Sequence, residues 1–379
     1  MNKSDLVIQK VHTKEGFNSL KDRWNTFLAE SPANSFFLRW EWLWNWWKVY
    51  GEANFTLCIL LVYRDAELIG ICPFYLTKKA FRVRRLMFLG TKLEGIISEY
   101  MDVIAKRDEE NAVIEAAFAF IVKEDLCDDI SLQKIDASSI TVSILKDVSA
   151  KKGLYYAVTN RYEVPFINLP ASIDEFRDGL SSSIRYKIKR EQKKIAKYEY
   201  VVFRKTQDIE ELDRDFSELV RLHQLRWESR GESGSFAGGK FPVFQKEVMR
   251  EMLQNGNLEL WFLSVAGRNI AALYNIYYNH KIYFFQGGID TGFDSTLSPG
   301  VMIHSYCINE AIKRGLTEYD FLLMGKDDLY KKRWAGCSRT LLDINISHSV
   351  VLKNIISAKS TAKTWIGRYL NGLVHNKRS

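Results

Sequence analysis

The chain has 379 residues, which exceeds one ordinary hydrophobic core and is sufficient for two domains. Hydrophobic residues make up 46% of it and charged residues 26%, a composition that excludes an intrinsically disordered protein. The net charge of +8 favours a polyanionic partner such as a nucleotide, tRNA or an acidic membrane surface, and it does not choose among them.

The apolar runs, the cysteines and the histidines bear on the compartment. The longest apolar run, 55–63, is far shorter than the roughly 20 residues of a membrane-spanning helix, and the first residues lack the apolar region of a signal peptide. The five cysteines have no CxxC spacing, so we expect reduced thiols. The six histidines lack ligand spacing, so we expect no metal. We therefore predict a cytoplasmic protein, with peripheral contact to the inner membrane left open.

The first half of the chain predicts two helices, three strands and then helices alternating with strands. This order indicates an α/β (α+β) fold with mixed central sheets. Five tryptophans between positions 40 and 47 cannot share one helical face, and we interpret them as core and packing residues. The helices are predicted at 13–29, 36–50, 108–124 and 139–151, and the strands at 55–63, 67–77, 83–90, 129–133 and 154–164.

The second half repeats this order after a basic segment. Residues 182–198 carry seven Lys and Arg against one Glu, with apolar residues on one face, which predicts a basic amphipathic helix. A solvated face, tRNA contact and anionic lipid contact are all compatible with it. Further helices are predicted at 208–229, 240–254, 299–314 and 326–334, and strands at 258–265, 269–278, 281–287 and 317–323.

Two hairpins suggest an internal duplication. Residues 54–75 and 257–278 both predict strand, tight turn and strand, and each hairpin follows two helices. We therefore predict two tandem domains, 1–165 and 166–348. A basic tail, 349–379, would follow as a helix, either on a membrane surface or packed on its own domain.

Three segments of the second half, 219–231, 283–300 and 316–336, together resemble the CelD-like acetyltransferases of the GNAT superfamily, which are related to the FemAB peptidyltransferases. The segment 36–51 is similar to that family's opening helix. The resemblance extends over about residues 10–345 and implies two tandem GNAT-like acyltransferase domains. It also implies acetyl-CoA or another acyl-CoA as donor, with its diphosphate at the N-terminus of the helix that follows two splayed strands.

The matching helix start contains the candidate donor-binding residues. Ser298 fits the N-cap and Pro299 the first helical position, and Gly300 would let the backbone approach a phosphate. A merely well-capped helix is the alternative. The fuller Gln/Arg-x-x-Gly-x-Gly/Ala loop of ordinary GNAT enzymes is absent. The resemblance also implies that Lys331 meets either a phosphate or solvent.

Acyl transfer to an amine needs a base, an acid for the leaving group and donors for the oxyanion. His223 lies on the apolar face of helix 208–229, where it is either catalytic or a core histidine bonded to a carbonyl. Asp290 follows a strand end and is either a base or a turn cap. The resemblance implies that Tyr330 protonates the leaving group; a buried structural tyrosine is the alternative. The predicted substrate-binding residues beside His223 are Arg226, Trp227 and Arg230.

Three functions follow as hypotheses. The first is an acyl-CoA-dependent N-acyltransferase whose small-molecule amine acceptor is an amino sugar or related cell-envelope or polysaccharide precursor. The second is a FemAB-type transferase that uses aminoacyl-tRNA. The third is a non-catalytic scaffold of a polysaccharide-assembly complex. The acceptor, the acyl chain and the oligomeric state are not fixed by the sequence.

Overall fold

A computed structural model describes residues 6–78, 83–91, 98–325 and 329–347. Its thirteen described strands form one mixed sheet, and helices pack on both halves of it, which confirms the predicted α/β fold. Within these ranges no helix combines the length and apolar character needed to cross a bilayer. The predicted tail helix, 349–379, lies outside the described residues.

The first half of the sheet is built from hairpins and helical crossovers. A 3₁₀ turn, Phe36–Leu38, and a π-helical turn, Trp47–Gly51, flank its third helix. The strands are β1 (Leu6–Val11), β2 (Phe55–Arg64), β3 (Glu67–Lys78), β4 (Arg84–Phe88), β5 (Ile104–Ala105), β6 (Asp129–Asp136) and β7 (Tyr155–Asn168), and the helices are α1 (Lys14–Asn18), α2 (Lys21–Glu30), α3 (Trp40–Trp46), α4 (Glu110–Lys123) and α5 (Ile140–Lys151).

The second half has the same alternation, with three elements that the sequence did not predict, α6, β8 and β13. The helices are α6 (Ile173–Gly179), α7 (Ser182–Ile195), α8 (Ile209–Glu228), α9 (Lys240–Gln254), α10 (Pro299–Lys313) and α11 (Leu329–Trp334), and the strands are β8 (Val202–Lys205), β9 (Leu258–Val265), β10 (Arg268–Tyr278), β11 (Lys281–Ile289), β12 (Glu318–Asp320) and β13 (Cys337–Ser347).

Strand β13 joins the two halves. It lies between β6 and β7 and is antiparallel to both, while β7 continues past position 165 and pairs with β12. The sheet order is β1-β2-β3-β4-β6-β13-β7-β12-β11-β10-β9-β8, with β5 beside β3. The C-terminal strand therefore completes the sheet of the N-terminal half, and the two halves share one continuous sheet.

The tryptophan-rich helix α3 packs in the core between the halves. Trp42 is fully buried, and its indole donates to Ser98 Oγ at 2.8 Å. Its ring meets Phe285 of β11 edge-on at 5.6 Å and Phe244 of α9 at 5.0 Å. Such aromatic pairs stabilise beyond their area burial. The N-terminal half thus contacts β11, the strand on which the candidate site is built.

Candidate active site

The candidate site is the cleft that opens where β11 and β12 separate. The two strands pair in parallel only over Lys281–Tyr283 and Glu318–Asp320, after which β12 ends and β11 continues to Ile289. A cavity of about 230 Å³ lies at this separation. It is lined by Glu99, Arg226, Trp227, Ser235, Phe284, Phe285, Gln286, Gly287, Leu322, Leu323, Gly325, Tyr330 and Lys331.

Strand β11 carries a bulge at the cavity. Its register with β10 passes from Gln286 opposite Tyr274 to Phe284 opposite Asn275, which leaves Phe285 as the extra residue. A bulge takes a residue out of the regular ladder and redirects its backbone groups. Past Tyr283, β11 also has no strand partner on its β12 side among the described residues. Backbone N–H groups facing the cleft are suitable donors for an oxyanion.

Helix α8 lies directly on β11 because Gly288 permits it. A Cβ at that position would lie 2.3 Å from the backbone nitrogen of His223 and 2.4 Å from the carbonyl carbon of Leu222. Any larger residue would therefore displace the helix backbone. This close approach brings the C-terminal turns of α8, with Arg226 and Trp227, to the cavity wall.

His223 is fully buried and supports Trp227. The indole Nε1 donates to His223 Nε2 at 2.9 Å, and since an indole only donates, Nε2 accepts and Nδ1 carries the proton. Nδ1 lies 3.1 Å from Gln224 Oε1, an acceptor. Burial lowers the pKa of His223 to about 4. Both ring nitrogens of His223 are engaged. The geometry therefore favours a role for His223 in positioning Trp227 rather than a role as the catalytic base.

A second buried histidine, His304 of α10, lies behind Tyr330. Its ring centroid is 6.1 Å from that of Tyr330 and 4.6 Å from that of Phe284, and its Nδ1 lies 3.1 Å from the Tyr319 hydroxyl. Burial lowers the pKa of His304 to about 3, and the nearby charges of Arg226 and Lys331 act in the same direction. Two neutral imidazoles, His223 and His304, therefore lie behind the wall of the cavity.

The lowered pKa values of these two histidines predict that the folded protein loses stability in acid. Their folded pKa values lie below the unfolded value, so the unfolded chain binds protons more tightly, and stability falls as pH drops from about 6.5 toward 4. His304→Asn should reduce the fall in melting temperature between pH 7 and pH 4.5. The exposed His280 supplies the matched control, His280→Asn, and an equal pH dependence in both variants would contradict the assignment.

Glu99 is the site residue that sequence reasoning missed. It comes from the N-terminal half, is 2% exposed, and both carboxylate oxygens accept from the backbone N–H of Leu323 at 3.0 Å. Burial raises the pKa of Glu99 to about 8; the hydrogen bond from Leu323 and the charge of Lys331 act against this rise, and the charge of Asp320 adds to it. A carboxyl group with such a pKa is suited to general acid–base chemistry near neutral pH.

Lys331 holds the loop that follows β12. Its Nζ donates to the carbonyls of Phe321 at 2.8 Å and Leu323 at 2.7 Å, and the residue is 6% exposed. Tyr330 precedes it, and the guanidinium carbon of Arg226 lies 5.8 Å from the Tyr330 ring centroid. The cavity thus contains two cationic side chains, Arg226 and Lys331, beside one carboxyl group, Glu99.

Two non-glycine residues with a left-handed backbone lie where the halves meet at this site. Tyr100 and Leu322 have φ values of 53° and 55°, a conformation that costs a non-glycine residue about 1–3 kcal/mol. Buried Asp320 fixes both, because it accepts from the Tyr100 hydroxyl at 2.5 Å and from the Leu322 N–H at 2.7 Å. Arg339 of β13 lies 3.8 Å from the same carboxylate. These contacts hold Glu99 of the N-terminal half next to Leu323 of the C-terminal half.

The start of α10 is formed as the sequence predicts, with Ser298 at the N-cap and Pro299 in the first turn. Ser298 makes no side-chain cap; its backbone N–H donates to the buried carboxylate of Glu191 at 2.8 Å. Gly300 has an ordinary backbone, and an added Cβ would only touch Ile289 at 3.8 Å. The position therefore does not require glycine.

In the loop before α10, two aspartate side chains likewise accept hydrogen bonds from backbone N–H groups. Asp290 accepts from the Gly292 N–H at 3.0 Å and pairs with Arg268 at 2.5 Å. Asp294 accepts from the Thr296 N–H at 2.7 Å. With Glu191 on Ser298, three carboxylates hold three backbone donors of this loop. Asp290 lies at the far end of β11 from the bulge, where it caps a turn.

The structure therefore divides the predicted site residues into two groups. Arg226, Trp227, Tyr330 and Lys331 line the cavity, with His223 behind Trp227. Arg230 lies next to them, its guanidinium carbon 5.7 Å from the Trp227 ring centroid. Four others lie outside the cavity lining: Asp290 at the β11 end of the loop before α10, and Ser298, Pro299 and Gly300 at the start of α10. No group of three potential metal ligands occurs among the described residues.

The family comparison agrees with this arrangement. Residues 182–332 match the family described as acetyltransferase (GNAT) domain, and this segment contains α8, α10 and the lining residues of the cleft other than Glu99. A search of curated proteins gives no significant match. Residues 182–332 thus resemble a GNAT acetyltransferase domain, which supports an acyltransferase; the narrower CelD-like resemblance is not confirmed.

Solved structures share the whole architecture. A crystal structure of FemX has a TM-score of 0.61 at 12% identity, covering 92% of this chain and 99% of that chain. A conserved protein of unknown function from Bacteroides thetaiotaomicron has a TM-score of 0.56 at 11% identity, covering 90% and 99%. L-PGS from Bacillus licheniformis has a TM-score of 0.52 at 11% identity, covering 92% and 96%. Identities this low establish the fold alone.

Proposed function

We propose that the protein transfers an aminoacyl group from the ester of an aminoacyl-tRNA to a primary amine bound in the cleft. The choice of donor rests on the hydrogen bonds that the backbone N–H groups of the loop before α10 already make. A CoA diphosphate would need free backbone donors there, but Glu191, Asp290 and Asp294 already hold three of them. An ester donor needs no diphosphate site.

In the proposed reaction Glu99 takes a proton from the acceptor ammonium, and the free amine attacks the ester carbonyl carbon. The carbon–nitrogen bond forms, and the oxyanion lies in the cleft near the bulge at Phe285 and the charge of Lys331. The carbon–oxygen ester bond then breaks, and the departing oxygen receives a proton from Tyr330. The attacking nitrogen loses its second proton to Tyr330, which restores the tyrosine, and Glu99 releases its proton to solvent. The products are an amide and deacylated tRNA.

The acceptor in this proposal is an amine of a cell-envelope precursor, with an amino sugar as one such compound. The residues that support an amine are Glu99, which can take its proton, and Trp227, whose ring forms one wall of the cavity. FemX and L-PGS share the fold, which is compatible with this class of chemistry.

The second candidate is the acyl-CoA-dependent N-acyltransferase. The match of residues 182–332 to an acetyltransferase domain favours it, as does the splayed pair β11 and β12. It would require the diphosphate to bind elsewhere or the three carboxylates to move.

A binding comparison tests the choice of donor. A ligand that binds only the native state raises the melting temperature. We expect no shift with acetyl-CoA or longer acyl-CoAs, and filter retention of mixed aminoacyl-tRNA above that of deacylated tRNA. Labelled amino acid should then move from tRNA into an amine-containing envelope precursor. A clear shift with acyl-CoA and no retention of aminoacyl-tRNA would reverse the order of the two candidates.

Glu191→Gln is the matched control for that comparison. The amide can still accept the hydrogen bond from the Ser298 N–H, but the variant lacks the negative charge. A thermal shift with acetyl-CoA that appears only in this variant would show that the carboxylate excludes the diphosphate.

A further inference from the structure

Helix α7 and the turn that follows it present a continuous cationic face to solvent. At 100° per residue, Arg185, Lys189, Lys193, Lys197 and Arg190 fall within an arc of about 140°, and all five are exposed. Among the described residues, no ion pair joins Lys189, Lys193 or Lys197 to a carboxylate. The opposite face, with Ile184 and Ile195, is buried.

An exposed aromatic residue lies within this face. Tyr186, inside the arc, is 69% exposed, and Tyr200, shortly after the helix, is 78% exposed. A tyrosine among lysines is typical of a surface that meets lipid headgroups, where the ring contacts the boundary of the hydrocarbon.

A groove runs along one edge of the cationic face, between α6, α7 and α10. Its volume is about 420 Å³. Apolar side chains form its floor: Ile173, Phe176, Leu180 and Ile188. Cationic side chains form its rim, Arg177, Arg185 and Lys189, and Asn309 of α10 lies in its wall.

We propose that the α7 face and this groove bind the anionic phospholipid of a membrane surface. The cationic arc attracts the phosphates of an anionic bilayer. The apolar floor favours lipid over RNA, because an acyl chain gains free energy from burial whereas a phosphodiester backbone has no use for an apolar groove. The protein would therefore act while attached to a membrane surface.

Vesicle sedimentation with the full chain tests the proposal. We expect binding to phosphatidylcholine vesicles that contain phosphatidylglycerol, no binding to phosphatidylcholine alone, and release at high salt. Lys189→Glu combined with Lys193→Glu should weaken binding at least about tenfold. The control, Lys146→Glu with Lys152→Glu, makes the same charge change on exposed residues of α5 and its C-cap and should bind like the wild type.

The groove has its own test. Asn309→Trp would fill it and should weaken vesicle binding, whereas Lys313→Trp on the exposed side of the same helix should not. Circular dichroism serves as the check that each variant is folded. The proposal is overturned by wild-type affinity in the α7 variant, by equal losses in the α5 control, or by wild-type vesicle binding in Asn309→Trp. It is also overturned if the α7 variant loses tRNA retention but keeps vesicle binding, which would mark an RNA surface.

Discussion

Replacing Glu99 with glutamine is expected to lower kcat about 10²–10⁴-fold, the usual contribution of a positioned general base. The amide can still accept a hydrogen bond from the Leu323 N–H, so the loop geometry should persist while the proton acceptor is lost. The measurement is single-turnover transfer from aminoacyl-tRNA to the acceptor found in the precursor screen. Turnover within threefold of wild type would remove Glu99 from the mechanism.

The pH dependence gives an independent check. Since only the ionised carboxylate accepts a proton, and burial raises the pKa of Glu99 to about 8, the wild-type rate should increase with pH up to about that value. The Glu99→Gln variant should lose this rise. A merely structural role for Glu99 would lower the rate at every pH by the same factor.

Stability should change in the opposite direction. The folded pKa of Glu99 lies above the unfolded value, so the folded protein binds the proton more tightly and loses stability as pH rises from about 4.5 toward 8. Glu99→Gln lacks this penalty, and its melting temperature relative to wild type should be higher at pH 8 than at pH 5. An active-site group that costs stability is expected where function selected it.

Local sequence patterns predicted most helices and the hairpins because these depend on residues close in the chain. Strand β13 was missed for a physical reason. It is central in the sheet and largely buried along its second half, so its sequence lacks the alternation that marks a half-buried strand. Its partners β6 and β7 lie about two hundred residues earlier, and no local pattern reports such pairing.

The site residues show the same distinction between local patterns and long-range contacts. Arg226, Trp227, Tyr330 and Lys331 lie on two helices whose patterns and family resemblance were visible, and they line the cavity. Glu99 was missed because its role depends on a contact with Leu323, 224 residues away. The α10 start was predicted as a helix cap, but the hydrogen bond from the Ser298 N–H to Glu191 depends on how α7 packs against it.

Replacing Lys331 with methionine is expected to lower kcat about 10²–10³-fold, the loss typical of one charge-stabilising donor in an acyl-transfer site. Methionine nearly preserves the side-chain length but removes the charge and leaves the carbonyls of Phe321 and Leu323 without this donor. Stability should also fall, by about 1–3 kcal/mol. The neighbouring Lys332 supplies the control: it is half exposed and pairs with Glu163 at 2.6 Å, so Lys332→Met should leave turnover unchanged.

The two large effects should be coupled. The ammonium of Lys331 lowers the pKa of Glu99, so Lys331→Met should move the rise of the pH–rate profile to higher pH. Both residues also hold Leu323, one through its N–H and the other through its carbonyl. The double variant, Glu99→Gln with Lys331→Met, should therefore lose much less than the product of the single losses. Multiplicative losses and an unmoved pH profile would mean that the two residues act separately, and that the loop after β12 is not the element through which the N-terminal half completes the site.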